Sequence, residues 1–298
     1  MMVASLETYL PGLYPAFLTP LTPEGKVSEP AVEQLIEYLL QAGMDGTYVG
    51  GSTGEGLLMD LQQREILVDR LARSMPGSKR LIVHVGAADV NDAIRLAQHA
   101  AKAGAKAVSS LPPKGDQAMV QAFYAELAAQ SPVPLVVYYF PKMAPNAFAD
   151  ADSLLRICEL SNVVGVKFTD FDLFLLERIR QAGKIVFNGY DEVLVAGLLM
   201  GANGGIGSTY NVMPKRYVAL YEAARRGDWD QARELQREVN AVIRAMVRYP
   251  WLPAMKAVMA EQGFACGPVM NGQSLTEEHR RNLLGAMDSV WPEWRQRG

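Results

Sequence analysis

The chain has 298 residues, with 49% hydrophobic and 20% charged side chains, the balance of an ordinary globular protein. Its formal charge is -3 and it has no long Lys/Arg block, which argues against nucleic acid as a partner, because phosphate binding needs a basic face. No run of 18 apolar residues is present, so no membrane span is expected.

Cys158 and Cys266 are the two cysteines, and neither has a CxxC partner. Both read as small core residues rather than as metal ligands or a disulfide. The start, MMVASLETYLPGLYP, has no basic n-region and no sustained apolar run. No secretory leader is expected, and the expected location is cytoplasmic.

In chain order, short β-rich runs appear at 13–19 (LYPAFLT), 47–52 (TYVGGS), 80–86 (RLIVHVG) and 107–111 (AVSSL). Four more follow at 135–140 (LVVYYF), 163–168 (VVGVKF), 185–189 (IVFNG) and 204–209 (GGIGST). Most are continuously apolar rather than alternating, as parallel strands covered on both faces are. Amphipathic helical stretches lie between them. Over 29–41, Leu35, Ile36, Leu39 and Leu40 recur on one helical face. Asp60 with Gln63 predicts a capping box ahead of a helix over 61–74. Asp89 with Asp92 opens a helix over 90–103, which Gly104 ends. Further helices are predicted over 151–160, after Asp150, and over 192–200, before Gly201.

This alternation predicts an α/β chain folded as a closed (β/α)8 TIM barrel over residues 1–226. An open doubly wound sheet is the alternative. It usually carries a Gly-rich dinucleotide loop after its first strand, and none follows LYPAFLT. After Gly227 the pattern becomes all-helical, at 228–247, 253–262 and 275–289. Residues 227–298 are therefore expected to form a C-terminal helical subdomain, packed on the barrel or on a neighbouring subunit.

Chemistry in such a barrel sits at the C-terminal strand ends. There the sequence collects GGSTGEG (50–56), YYFP (138–141), KFTD (167–170), NGYDE (188–192) and GSTYN (207–211). In GGSTGEG the glycines allow close backbone approach, and Ser52 and Thr53 add hydroxyls. The loop lacks GK[ST], so a small carboxylate suits it better than a triphosphate. A plain Gly-rich turn is the other reading.

Lys167 interrupts a strand that otherwise reads as buried. Burial lowers an amine's pKa, and a neutral amine attacks carbonyls to form Schiff bases. Taken alone, Lys167 reads equally as a lysine that snorkels out or pairs with Asp191. Tyr138 and Tyr139 lie on opposite strand faces, so at most one points into the barrel. A phenol near the amine relays protons, and a core aromatic is the other reading. Asp191 and Glu192 either complement a helix N-terminus or bind substrate hydroxyls. Ser208 and Thr209 either cap the next helix or reach the ligand.

Together these segments resemble the N-acetylneuraminate lyase and dihydrodipicolinate synthase superfamily of pyruvate-dependent class I aldolases. The resemblance runs from PAFLTPLT to the helical tail and rests on GGSTGE, the Tyr three residues before Pro141, the GVK strand and the Gly-rich eighth strand, in family order. It implies that Lys167 forms the Schiff base and Tyr138 relays protons. Ser52 and Thr53, with the backbone near Ile206, would hold the pyruvate carboxylate. NGYDE and GANGGIGSTYN resemble the lyase branch, where Thr169, Gly189, Asp191, Glu192 and Ser208 would contact the polyhydroxylated part of a sugar acid.

The implied reaction is cleavage of N-acetylneuraminate, or a related 2-keto-3-deoxy sugar acid, to pyruvate and an aldehyde. The resemblance implies no metal and no cofactor beyond the covalent lysine, and a homotetramer. Dihydrodipicolinate synthesis is the alternative activity, but Met143 stands where the synthases carry an Arg. Two departures border the mouth. SLPPKGD after the fourth strand has no Tyr, and Lys142 replaces a small residue. A binding protein on an inactive barrel would be favoured had Lys167 or Tyr138 been lost.

Overall fold

A computed structural model of the chain describes residues 10–77 and 79–296. The outer ends of the two expected units, 1–9 and 297–298, lie outside the described residues. Eight strands run in sequence order around one sheet: β1 (Gly12–Pro15), β2 (Gly46–Val49), β3 (Arg80–His84), β4 (Ala107–Ser110), β5 (Leu135–Tyr139), β6 (Val163–Phe168), β7 (Ile185–Asn188) and β8 (Gly204–Gly207). Every ladder is parallel. β1 pairs with β8 along its length, whereas β1 and β2 meet through a single bridge, Ala16 to Tyr48. The (β/α)8 barrel expected from the sequence is the fold.

The helices are α1 (Glu29–Gln41), α2 (Leu61–Ser74), α3 (Val90–Lys102), α4 (Gln117–Gln130), α5 (Ala151–Cys158), α6 (Leu173–Gln181), α7 (Leu194–Leu199) and α8 (Pro214–Arg225) around the barrel, followed by α9 (Trp229–Met246), α10 (Trp251–Glu261) and α11 (Glu277–Val290). Asp116, Asp150, Asp172 and Asp228 each accept a hydrogen bond from the backbone N–H three residues on. Each such cap stabilises its helix by about 1 kcal/mol. The capping box predicted at Asp60 forms only by half. Asp60 accepts from Gln63 N, but the Gln63 side chain turns away to accept from Val27 N at 2.8 Å. A full capping box forms instead between Asp150 and Ser153.

The period of two splits each strand between two cores. Tyr14, Tyr48, Ile82, Ala107, Val136, Tyr138, Ile185, Phe187 and Ile206 fill the barrel interior. Leu13, Val49, Val83, Val108, Val137, Val166 and Val186 face outward, under the helices. Burying one such Leu, Val or Phe side chain contributes roughly 1.5–3 kcal/mol. Both faces are apolar because both are covered, so the strands show no alternation in sequence. Cys158 and Cys266 are buried and free.

Strand ends are shorter than the apolar runs. The run 13–19 leaves the sheet after the Ala16 bridge, and the run 204–209 ends at Gly207, because Thr209–Asn211 forms a 3-10 turn. The helix predicted over 192–200 begins as a 3-10 turn, Asp191–Val193, before α7. No helix among the described residues is long and apolar enough to cross a membrane.

Candidate active site

One cavity of about 580 Å³ opens at the C-terminal end of the barrel. Ser52, Thr53, Tyr138, Lys167, Thr169, Gly189, Asp191, Glu192, Ile206 and Ser208 all line it. These are the ten residues singled out from the sequence, and they come from five different strand ends. Among the described residues, no group of three or more His, Cys, Asp or Glu side chains is arranged to hold a metal ion.

Lys167 sits inside the barrel because it alternates with Val166 and Phe168, its neighbours on β6, which face outward under the helices. The ladder sets it directly beside Tyr138 of β5 and Phe187 of β7. It is 4% exposed. Its Nζ lies 3.9 Å from the centre of the Tyr138 ring and 4.3 Å from that of Tyr48. Burial pulls its pKa down to about 7, and the Asp191 carboxylate opposes part of that shift. Near neutral pH a large fraction of this amine is therefore unprotonated.

Tyr138 is buried, while Tyr139 points outward and stacks on Phe168 with ring centres 5.3 Å apart. Burial pushes the Tyr138 phenol up to about 12, against the pull of the Ser52 and Thr169 hydroxyls. It is thus a neutral phenol at physiological pH, able to take one proton while giving another. Thr169 Oγ1 is buried and has no well-formed hydrogen bond. Gly189 permits this crowding, since a Cβ there would lie 2.0 Å from Thr169 Oγ1.

The hydroxyls of Thr53 and Ser208 bond each other at 2.6 Å, joining the loop after β2 to the end of β8. Ser52 Oγ lies 3.4 Å from the thioether of Met143. Asp191 is buried but caps no helix. Its Oδ2 accepts from both Thr209 N and Thr209 Oγ1 at 2.7 Å. Burial raises its pKa to about 6, although the Thr209 bonds hold it down in part. Glu192 is half-buried on the same turn. Lys142 is exposed at the mouth.

Several contributors escaped the sequence reading. Tyr48 lies in phase with the inward residues of β2, two residues before the GGSTGEG loop. Its ring forms one wall around Lys167, and its hydroxyl bonds Ser109 Oγ at 3.2 Å. His84 is buried beside Tyr138, with ring centres 6.3 Å apart. Burial keeps its imidazole well below the usual range, helped by the positive charges of Arg64 and Lys167. Its Nε2 accepts from Leu111 N at 2.9 Å, so the proton resides on Nδ1.

The outer wall comes from the helical tail: Ile243, Val247, Tyr249, Trp251 and Leu252. α9 also holds the acidic turn in place. Gln236 Nε2 donates to the Asp191 carbonyl and Asn240 Nδ2 to the Glu192 carbonyl, each at 3.0 Å. Gln236 Oε1 accepts from Val195 N at 3.0 Å.

Residues 9–287 match the family model of the dihydrodipicolinate synthetase family. The N-acetylneuraminate lyase of Rhizobium meliloti (strain 1021) is 39% identical over 294 residues, covering 96% of this chain and 97% of that one. The structure of wild-type sialic acid aldolase from Ruminococcus gnavus superposes with a TM-score of 0.88 at 28% identity, over 94% of this chain and 96% of that one. A Clostridium difficile protein solved in complex with mannosamine superposes with a TM-score of 0.89 at 26% identity, over 95% of this chain and 99% of that one.

Proposed function

The chain belongs to the dihydrodipicolinate synthetase family, and from that premise we propose that it is a carbon–carbon lyase that cleaves N-acetylneuraminate or a related 2-keto-3-deoxy sugar acid. The observation that carries this reading is the burial of Lys167 Nζ against Tyr138, in a cavity whose other walls offer hydroxyls and carboxylates.

In the proposed mechanism the neutral Lys167 amine attacks the C2 ketone, and loss of water, with one proton taken up from solvent and given back at the final hydrolysis, leaves a protonated iminium. The C4 hydroxyl gives its proton to the Tyr138 oxygen as the phenolic proton passes, through the Ser52 hydroxyl, to the substrate carboxylate that Ser52 is assigned to hold. The C3–C4 bond breaks, its electron pair enters the iminium to form an enamine, and the aldehyde leaves. The relayed proton returns to C3. Water then adds at C2, releasing pyruvate and restoring Lys167. The iminium is the electron sink, so the scheme uses no metal or separate cofactor.

Ser52 and Thr53, with the backbone at Ile206, are assigned to the carboxylate. Thr169, Gly189, Asp191, Glu192 and Ser208 are assigned to the hydroxylated end. The alternative substrate, aspartate semialdehyde, would find a Met143 thioether where a guanidinium is wanted. We also propose a cytoplasmic homotetramer. In support, Phe171, Phe174 and Leu199 stand exposed on or just before α6 and α7, a surface that a second copy would cover.

Borohydride reduction in the presence of pyruvate tests the chemistry. The peptide that carries Lys167 is expected to gain a stable pyruvate adduct. Lys167→Ala is expected to take no adduct and to lose cleavage activity by at least about 10³-fold while keeping its fold. An unmodified Lys167 peptide in the wild-type digest would sink the scheme.

A further inference from the structure

Glu55 closes the GGSTGEG loop in a conformation that glutamate seldom adopts. Its φ is 58°, in the left-handed region, and among the described residues no other non-glycine has a positive φ. Such a conformation persists only where the surroundings hold it. Here they do. Glu55 Oε2 accepts from Met270 N at 2.7 Å, and Oε1 lies 2.9 Å from Lys256 Nζ. The two side chains are 1% and 5% exposed. Lys256 also donates to the Pro268 carbonyl.

This buried ion pair joins two parts of the cavity that are distant in sequence. Ser52 and Thr53 precede Glu55 on the same short loop. Trp251 and Leu252, which line the outer wall, lie one turn before Lys256 on α10. A buried pair contributes little stability compared with well-packed apolar residues, yet it is costly to break from one side. That asymmetry suits a part whose use is to fix one geometry.

We propose that Glu55 and Lys256 form a positioning clasp that sets the Ser52–Thr53 cradle at a fixed distance from the α10 wall, and thereby governs affinity for the 2-keto acid carboxylate. This rests on the assignment of Ser52 and Thr53 to that carboxylate. Neither clasp residue touches substrate. Their effect passes through the loop.

The test compares wild type, Lys256→Met and the double variant Glu55→Gln/Lys256→Met, the last removing both charges so that no unpaired carboxylate is left buried. Hydrogen exchange read by mass spectrometry reports the loop directly. In Lys256→Met the amides of 50–58 are expected to exchange about tenfold faster, with those of β4 and β5 unchanged. The pyruvate concentration for half-maximal borohydride trapping is expected to rise about tenfold, with the trapped yield at saturation unchanged. The double variant is expected to recover part of the exchange protection and part of the affinity.

A role in stability alone would lower the melting temperature and leave both the exchange of 50–58 and the half-saturation as in wild type, which would overturn the clasp. If the double variant folds and its loop exchanges and binds as wild type does, the clasp is likewise overturned. Failure of wild type to trap pyruvate would overturn the lysine chemistry, while the exchange data would still decide the clasp.

Discussion

Lys167 and Asp191 lie in one cavity and perturb each other. Burial drives the amine toward neutrality, to about 7, and the carboxylate toward protonation, to about 6. Each charge, when present, favours the other. Schiff-base formation needs the free amine, so the rate of pyruvate trapping is expected to rise with pH through about 7. Asp191→Asn removes the negative charge that holds the Lys167 pKa up. The acid limb of the trapping profile is then expected to move down by roughly 1 pH unit. Initial trapping rates measured between pH 5 and 9, with about as many points on each side of neutrality, read this shift. An acid limb that stays in place, or moves up, would assign it to a group other than Lys167.

At the scale of elements, the strands were legible for a simple reason. Parallel strands buried on both faces leave short apolar runs, and Val163–Phe168 is such a run apart from one lysine. That break also marked the candidate site, because an amine in a buried strand demands an explanation. The ends were less legible, because apolarity outlasts the ladder: Phe17 and Leu18 are fully buried but lie beyond β1. Gln63 shows the same limit for caps. A local motif predicted one partner, and Val27, 36 residues away, took it. The part played by α9 left no local trace at all. Gln236 is a polar residue on an amphipathic helix, and its bonds to the Asp191 carbonyl and Val195 N span about 40 residues. Gln236→Ala leaves those two groups unpaired and is expected to cost about 1–3 kcal/mol in denaturant unfolding. It is also expected to raise KM for a sugar acid while the half-saturation for pyruvate trapping holds. Equal loss on both substrates would mean that α9 supports the whole cavity rather than the acidic turn.

Over the whole molecule, the two ends of the barrel do different work. The C-terminal end carries the polar side chains of the cavity. The N-terminal end carries a brace where the sheet is weakest, between β1 and β2. Asp45 Oδ2 accepts from Leu13 N at 2.9 Å, and Asp45 N donates to the Leu13 carbonyl at 3.1 Å. Arg80, at the start of β3, donates to the Pro11 carbonyl at 2.6 Å and to Tyr14 Oη at 3.2 Å, and reaches Asp45 at 3.5 Å. β1, β2 and β3 are thus tied by side chains where the backbone ladder is incomplete. Gly12 makes room for the carboxylate, since a Cβ there would lie 2.4 Å from Asp45 Oδ2. Asp45→Ala strands the Leu13 amide and removes a partner of Arg80, so it is expected to destabilise the fold by about 1–3 kcal/mol. For a chain of this size that lowers the melting temperature by several degrees, roughly 2–4 °C per kcal/mol. The cavity is at the opposite end of the strands, so kcat/KM of the folded enzyme is expected to match wild type within about twofold. Thermal melts paired with kinetics at 25 °C separate the two. A loss of kcat/KM without a loss of stability would show that closure of the barrel at its base sets the geometry of Lys167, and would remove the division of labour between the two ends.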